Sequence, residues 1–321
     1  MNMLRNLGAA CVAAAVVALS VPPAWPQGKT VKIIVPYTPG SGPDITSRLM
    51  AEQIGRMQGV NMLVENRPGA GTVVGTEAAA RAEPDGNTVL MVANTFVINP
   101  AVGRGKYTVA GSFEPVCQLA ATPMVLVVQS SSPYQTLKDL VDRARSVPGD
   151  VVFASGGPAS SLHIAIEVLK GAQKLNSSYV PYGGTGPAIN ALMGGHVTAV
   201  WADYPTVVGH IKSGTLRPLV TSSSAKVAAL PDVPTLNQTG LAKHEADIFY
   251  GIMAPAKTPP ETLAQLSGWF EAAMKAPEVT PKFAQQGLFP TVICGAAFGK
   301  FMQALTDDYA RVVNEAKIKV N

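Results

Sequence analysis

Residues 33–48, IIVPYTPGSGPDITSR, contain the local pattern on which the rest of the chain is built. An apolar strand leads into a loop of small residues and then into a predicted helix, with Pro43 in its first turn and Ser41 or Gly42 as N-cap. The first amides of a helix have no acceptor within it and carry the positive end of its dipole. Because the loop has short side chains, we expect an anion to approach these amides directly.

Four loops share this pattern, since each follows a predicted strand and precedes a predicted helix: YTPGSGPD (37–44), GAGT (69–72), SGGPASS (155–161) and YGGTGPA (182–188). Glycine and proline that merely punctuate an α/β chain would explain any single loop. Four such loops, two in each predicted domain, instead indicate hydroxyl and amide donors that face one another across a cleft and suit a carboxylate. The predicted ligand-binding residues are Tyr37, Thr38, Pro39, Gly40, Ser41, Asp44, Gly71, Thr72, Val73, Ser155, Gly156, Gly157, Ser160, His163, Tyr182, Gly183, Gly184, Thr185, Gly186 and Asp203.

Some of these candidates have a second, local explanation. Asp44 lies in the first helical turn, four residues before Arg48, so a local ion pair and a ligand-orienting role are both open. His163 lies one turn into its helix, where a histidine is more often packed or exposed, and Asp203 is a similarly weak candidate. Tyr37 and Tyr182 each precede the glycines of their loop and are expected to pack on the carbon skeleton of a ligand.

Predicted strands alternate with predicted helices, and most strands lack period-two polarity, which indicates an α/β fold with parallel sheets. Residues 95–107 are predicted to be an irregular connection, and Thr72 and Pro158 are predicted to open helices. Predicted strands cover 30–37, 60–65, 88–92, 123–128, 151–154, 197–201, 217–221 and 248–254. Predicted helices cover 43–56, 72–82, 136–146, 158–170, 187–193, 210–212, 261–275, 279–286 and 296–320.

The two longest apolar strands, 123–128 and 248–254, enclose the middle of the chain. If both cross between domains, domain I is discontinuous (28–123 plus 252–321) and domain II is 124–251. Two sheets joined by two crossing strands form a hinge, and ligands bind in the cleft at the carboxyl ends of the strands.

The N-terminus resembles a secretory signal peptide, residues 1–27, with Arg5 as its positive region and residues 7–21 as its short apolar region. A retained N-terminal anchor is the alternative. Cys11 would leave with this segment, and Cys117 and Cys294 then either pair in an oxidising compartment or remain buried thiols.

Composition and motifs exclude several classes of function. Arg5 is the one charged residue of residues 1–27, so its removal changes the formal charge from +4 to +3, too little to indicate nucleic-acid binding. The glycines at 69, 71 and 75 are spaced one residue too far apart for a dinucleotide fingerprint. An S-x-x-K match at 223–226 lies in a polar loop without its companion motifs. No metal-ligand spacing and no set of nucleophile, base and orienting group is found, so we expect no metal, no cofactor and no enzyme.

Nine stretches follow one another along the chain after residue 27: VPYTPGSGPD (35–44), VENRPGAGTVVG (64–75), AEPDGNTVLM (82–91), INP (98–100), FEPVCQLA (113–120), PGDVVFASGG (148–157), VPYGGTGPAINALMGGHV (180–197), LPDVPTLNQTGL (230–241) and GIMAPAKTP (251–259). Together they resemble the Bug extracytoplasmic solute receptors, the TctC-type binding proteins of tripartite tricarboxylate transporters. The resemblance covers essentially the whole chain after residue 27.

The resemblance implies a two-domain type II periplasmic-binding-protein fold, a Venus-flytrap with two crossing strands, whose loops 37–44, 69–73, 155–160 and 182–186 line the site. It also implies a periplasmic monomer that captures a dicarboxylate, tricarboxylate or aromatic carboxylate and delivers it to transporter membrane subunits. The alternatives are an enzyme on the same fold, such as a transferase or synthase, and a receptor that feeds a sensor kinase. Ser41, Pro43 and Tyr37 depart from the usual family residues near the predicted pocket, and so does the run at 201–203.

Overall fold

The computed structural model describes residues 29–158, 160–242 and 246–315, so the predicted signal peptide (1–27) lies outside the described residues, as does the predicted last turn of the final helix. The strands are β1 Thr30–Val35, β2 Asn61–Asn66, β3 Thr88–Val92, β4 Phe113–Gln129, β5 Val152–Ser155, β6 Ser178–Pro181, β7 Ala199–Asp203, β8 Leu216–Thr221, β9 Asp247–Pro255 and β10 Phe289–Cys294. The helices are α1 Gly42–Gln58, α2 Val73–Ala80, α3 Thr95–Ala101, α4 Val109–Ser112, α5 Leu137–Ser146, α6 Ser161–Gln173, α7 Thr185–Met193, α8 Tyr204–Lys212, α9 Leu236–Thr239, α10 Pro260–Lys275, α11 Val279–Gln285 and α12 Ala296–Glu315, with a 3₁₀ turn at Ala70–Thr72.

The strands form a mixed sheet in the order β2-β1-β3-β9-β4-β7-β5-β6, with β8 and β10 also paired to β4. The predicted α/β class is confirmed, but the sheet is parallel only towards its two ends, at the pairs β1–β2, β1–β3, β5–β6 and β5–β7. The central pairs of β4 with β7, β8, β9 and β10, and of β9 with β3, are antiparallel. The expectation of purely parallel sheets is therefore wrong at the centre, where the two long strands run in opposite directions.

Strand β4 joins two halves of this sheet. Its residues 113–123 pair with β9, and its residues 124–129 pair with β7 and β8. We call β1, β2, β3, β9, β10 and residues 113–123 the first half of the sheet, and residues 124–129 with β5 to β8 the second half. The predicted domain boundary at 123/124 coincides with the change of partner, whereas the boundary at 251/252 falls inside β9, which pairs with the first half from Asp247 onwards.

The prediction for β4 was too short because prolines hid its beginning. Pro115 cannot donate to a sheet ladder, and the register of β4 against β9 shifts between Pro115 and Cys117. The strand is nevertheless almost wholly buried, and neighbouring β7 places Trp201 in the core with no exposed surface. Tertiary burial here outweighs the local signal against a strand.

Two further predictions along the chain are wrong. The segment 95–107 is not simply irregular, because it contains α3, whose Pro100 lies in the last turn. Helix α6 does not begin at Pro158: Ser160 is its N-cap, and the Ser160 Oγ accepts from the His163 amide at 3.1 Å. The hydroxyl cap fixes the start of this helix more strongly than the proline does.

The pairing of Cys117 and Cys294, left open by the sequence, is decided by β10. This strand pairs antiparallel with β4, and Cys294 lies opposite Cys117 in the register. The two cysteines form a disulfide across 177 residues of sequence. Strand β10 itself was not predicted, because half of its residues are exposed and its apolar pattern is weak.

Candidate functional site

A cavity of about 370 Å³ lies between the two halves of the sheet. Most of its wall comes from segments that directly follow the carboxyl ends of β1, β2, β3, β5, β6 and β7, which is where open α/β sheets bind ligands. The wall consists of Pro36, Tyr37, Thr38, Ser41, Pro43, Pro68, Gly69, Ala70, Gly71, Thr72, Ala93, Asn94, Thr95, Arg104, Gly156, Gly157, Pro158, Ser160, Ser161, Leu162, Pro181, Tyr182, Gly183, Gly184, Thr185, Asp203, Ile248 and Tyr250.

All four predicted loops contribute to this wall. The predicted residues brought together there are Tyr37, Thr38, Ser41, Gly71, Thr72, Gly156, Gly157, Ser160, Tyr182, Gly183, Gly184, Thr185 and Asp203. The predicted residues placed behind the wall or beside it are Pro39, Gly40, Asp44, Val73, Ser155, His163 and Gly186. A ligand contact for any of the twenty stays a prediction.

The start of α1 is already occupied by carboxylates of the chain itself. The Gly42 amide donates to Asp203 Oδ2 at 3.1 Å, and the Gly40 amide donates to Asp44 Oδ2 at 2.9 Å. The Ser41 hydroxyl turns away from a capping position and donates to the Thr38 carbonyl at 2.7 Å. The expectation that an external anion meets these amides directly is therefore wrong for Gly40 and Gly42.

Asp44 occupies the local role that its spacing allowed. Its carboxylate lies 3.0 Å from Arg48 Nη2 and accepts from the Asn66 amide nitrogen at 2.9 Å. Burial alone would raise the pKa of Asp44, but the hydrogen bonds from Arg48, the Gly40 amide and Asn66 outweigh burial and lower the pKa. The ionised Asp44 thus holds the loop before α1 in place from behind the cavity wall.

Asp203 links the two halves of the sheet. It ends β7 in the second half, is buried, and accepts through Oδ2 from the Gly42 amide of the first half. The same oxygen accepts from Thr206 Oγ1 at 2.8 Å and from the Tyr250 hydroxyl at 3.3 Å. Burial and the charge of Asp203 raise the pKa of Tyr250 well above its ordinary value, so Tyr250 remains a neutral donor.

Hydrogen bonds between tyrosine hydroxyls and a threonine or serine hydroxyl fix the aromatic side chains in and beside the cavity wall. The Tyr37 hydroxyl lies 2.6 Å from Thr95 Oγ1, and burial raises the pKa of Tyr37, so this tyrosine is also neutral. In the second half, the Tyr179 hydroxyl lies 2.9 Å from Ser155 Oγ, and its ring stacks on His163 with centroids 4.1 Å apart. His163 is therefore packed against Tyr179, which is the local explanation for this residue; a contact with the ligand stays a prediction.

The two halves touch where the loop before α7 meets the loop before α1. A methyl group built on Gly184 would lie 2.4 Å from Thr38 Oγ1 and 2.9 Å from Thr38 Cγ2. Only a residue without a side chain allows the loop before α7 to approach the loop before α1 this closely.

Thr72 differs from its predicted role as a helix cap. It precedes α2 in a left-handed conformation (φ 81°) and makes no side-chain cap. Its hydroxyl instead accepts from Asn99 Nδ2 at 3.1 Å, and the same Asn99 nitrogen donates to the Gly71 carbonyl at 2.7 Å. The turn before α2 is thus held in place by α3.

Sequence reasoning missed several residues of the wall, including Asn94, Thr95, Arg104 and Tyr250. Asn94 and Thr95 follow β3 directly, so the strand-end rule used for the four loops could have found them. Arg104 lies in the segment predicted to be irregular, and Tyr250 is inside an apolar strand, so neither carried a local signal. Among the described residues, no group of three or more His, Cys, Asp and Glu side chains is arranged to hold a metal ion.

The sequence matches a family model, the TctC tripartite tricarboxylate transporter family receptor, over residues 46–318. The chain belongs to this family. BugT of Bordetella pertussis is 31% identical to it in an alignment that covers all of both chains. This family of solute-binding receptors is the one that the sequence motifs had indicated.

Solved structures agree with the family assignment. A periplasmic transporter is 31% identical and superposes with a TM-score of 0.87, covering 93% of this chain and 100% of that one. A protein of R. palustris solved with adipate is 24% identical and superposes with a TM-score of 0.87, covering 92% of this chain and 99% of that one, a likeness that shows the fold alone. The predicted two-domain periplasmic-binding-protein fold is thereby confirmed. No helix within the described ranges combines the length and the apolar character needed to cross a membrane.

Proposed function

We propose that this chain is a periplasmic receptor that closes on a small carboxylate in the cavity and delivers it to the membrane subunits of a tripartite tricarboxylate transporter. The observation that carries the proposal is the cavity itself, which is walled by hydroxyls, glycine loops and one arginine from both halves of the sheet. Membership of the receptor family supports the same function.

In this proposal the two halves are the two lobes of the receptor. Met124 begins the second half of β4, and its amide donates to Ser222 Oγ at 3.3 Å. The Ser222 hydroxyl donates in turn to the Ala246 carbonyl, just before β9. These contacts support a hinge in which the two chain crossings lie next to each other. We propose lobe boundaries near 123/124 and just before Asp247, in place of the boundary first predicted at 251/252.

Closure also explains why donors from both halves are needed. A carboxylate that bridges them would stabilise the closed arrangement by its differential affinity for that state. The link from Asp203 to the Gly42 amide and the close approach of Gly184 to Thr38 then belong to the closed arrangement. Residues 1–27 are proposed to act as a signal peptide that directs the chain to the periplasm.

The test is thermal stabilisation of the purified chain by a panel of succinate, malate, adipate and citrate, with adipamide as a neutral control of matched length. A ligand at 100 times its dissociation constant adds about 2.7 kcal/mol to the free energy of unfolding. We expect stabilisation by at least one carboxylate and none by adipamide. Equal responses to adipate and adipamide, or no response to any carboxylate, would contradict the proposal.

A further inference from the structure

Arg104 occupies an unusual position in the cavity wall. It follows α3, where its amide donates to the Asn99 carbonyl at 2.8 Å, and its Nη2 donates to the Ala70 carbonyl at 3.1 Å. Its second terminal nitrogen, Nη1, is buried and has no hydrogen-bond partner among the described residues. The guanidinium is thus fixed through Nη2, while Nη1 is a buried donor without an acceptor in the described part of the chain.

The backbone beneath Arg104 is shaped to accept the guanidinium. Gly71 has a left-handed conformation (φ 63°), and a methyl group built on it would lie only 3.2 Å from Arg104 Nη1. A side chain at this position would be strained and would push against the guanidinium. Gly71 therefore leaves room for the Arg104 guanidinium, in addition to allowing the turn.

The charges of the wall indicate which ligand group Arg104 would meet. Among the described residues that line the cavity, Arg104 is the only cation and Asp203 the only anion. Asp203 is already held by donors from Gly42, Thr206 and Tyr250. A buried N–H of a cation without an acceptor is unfavourable, and a carboxylate is the acceptor that matches a guanidinium best.

We propose that Arg104 binds one carboxylate of a dicarboxylate ligand through Nη1, while the other carboxylate meets the hydroxyls of Ser161 and Thr185 on the second half. This inference rests on the proposed function and narrows the ligand class from carboxylates to dicarboxylates.

A competing explanation is that Arg104 only braces the turn at 70–72. Asn99 Oδ1 is also buried and has no hydrogen-bond partner within the described ranges, so a hydrogen bond between it and Arg104 Nη1 is the alternative to a ligand. If Arg104 only stabilises the turn, its substitution changes the affinity for every ligand alike. If Arg104 binds a carboxylate, its substitution changes the affinity only for ligands that carry the second carboxylate. Measuring that difference separates the two explanations.

The experiment is a coupling measurement by calorimetric titration of the whole receptor. Two pairs of ligands, adipate with hexanoate and succinate with butyrate, differ within each pair by one carboxylate. They are titrated into the wild type, Arg104→Gln and Arg104→Lys, and into Lys106→Gln, an exposed neighbouring cation, as the matched control. Thermal unfolding of each variant without ligand monitors the fold.

We expect the wild type to bind at least one dicarboxylate roughly 10- to 100-fold more tightly than its matched monocarboxylate, the range for a hydrogen bond to a charged group. Arg104→Gln should remove this preference while changing monocarboxylate affinity less than about 2-fold, Arg104→Lys should keep part of it, and Lys106→Gln should keep all of it.

If Arg104→Gln weakens the binding of both ligands of a pair equally, Arg104 only stabilises the turn at 70–72 and the inference is overturned. A wild type that binds the dicarboxylate no more tightly than the monocarboxylate would overturn it as well. If the glutamine variant does not fold, the lysine variant decides: a loss of affinity confined to the dicarboxylate, partial or complete, supports the inference, and unchanged affinity contradicts it. Failure of the wild type to bind any of the four carboxylates would instead refute the proposed function.

Discussion

Replacing Gly184 by alanine tests whether the two halves of the sheet close on the ligand. Gly184 has φ 166°, an extended conformation that any residue adopts, so the substitution adds no backbone strain. The new methyl group would lie 2.4 Å from Thr38 Oγ1, 2.9 Å from Thr38 Cγ2 and 3.2 Å from Thr38 Cβ. Rotation about the Cα–Cβ bond of Thr38 can turn its γ atoms away but leaves Cβ 3.2 Å from the new methyl group, so relief also requires a small separation of the two halves.

The magnitude follows from the cost of this contact. Adding a methyl group to a well-packed position costs about 1–3 kcal/mol. Because the contact joins the two halves, the cost falls on the closed arrangement and leaves each half intact. If the ligand binds the closed arrangement, its dissociation constant should rise roughly 5- to 140-fold, at 1.4 kcal/mol for each factor of ten.

The assay is calorimetric titration with the best carboxylate of the panel, alongside thermal unfolding without ligand. Gly186→Ala is the control, because Gly186 lies outside the cavity wall and a methyl group there meets no atom of the described residues within 4 Å. Adding Thr38→Ala to Gly184→Ala removes both clashing γ atoms and should restore most of the affinity of the Thr38→Ala single variant. Wild-type affinity in Gly184→Ala, or no recovery in the double variant, would refute the reasoning about closure.

Two further outcomes are expected for the acidic side chains Asp203 and Glu167. Asp203→Ala should lower the free energy of unfolding by about 1–3 kcal/mol in a urea titration, because the Gly42 amide and the Tyr250 hydroxyl lose their acceptor. Asp203→Asn should recover part of this free energy. An alanine variant as stable as the wild type would contradict the role of Asp203 as the acceptor that links the two halves. The pKa of Glu167 is lowered from 4.5 to about 2 by His163, whose Nε2 lies 3.7 Å from Oε1, and by Lys170, whose Nζ donates to Oε1 at 2.8 Å. Glu167 therefore stabilises the fold fully above about pH 4.5 and loses this contribution as the pH falls towards 2. The difference in urea midpoint between wild type and Glu167→Gln should therefore shrink from about pH 5 to about pH 2.5, and a constant difference would show that Glu167 is not the titrating group.

Secondary structure was predictable wherever a segment carried a local signal. The apolar runs of β1, β3 and β9 gave the right strands, and the helix predicted over 136–146 agrees with α5. The first part of β4 and the whole of β10 were missed, since prolines or exposed positions masked their strand pattern. These strands form because partners distant in sequence bury them, and that information is not local.

The sequence by itself determined the family, the α/β class and the four loops that line the cavity, because strand ends, glycines and helix starts are encoded by neighbouring residues. Only the tertiary structure decided how the donors of those loops are used. The Gly42 amide meets Asp203, 161 residues away in sequence, and Arg104 comes to lie over Gly71. The first contact depends on the chain crossings that bring the second half against the first. The second depends on the packing of α3 beside the turn at 70–72. In both, a charge in a low-dielectric space must find a partner.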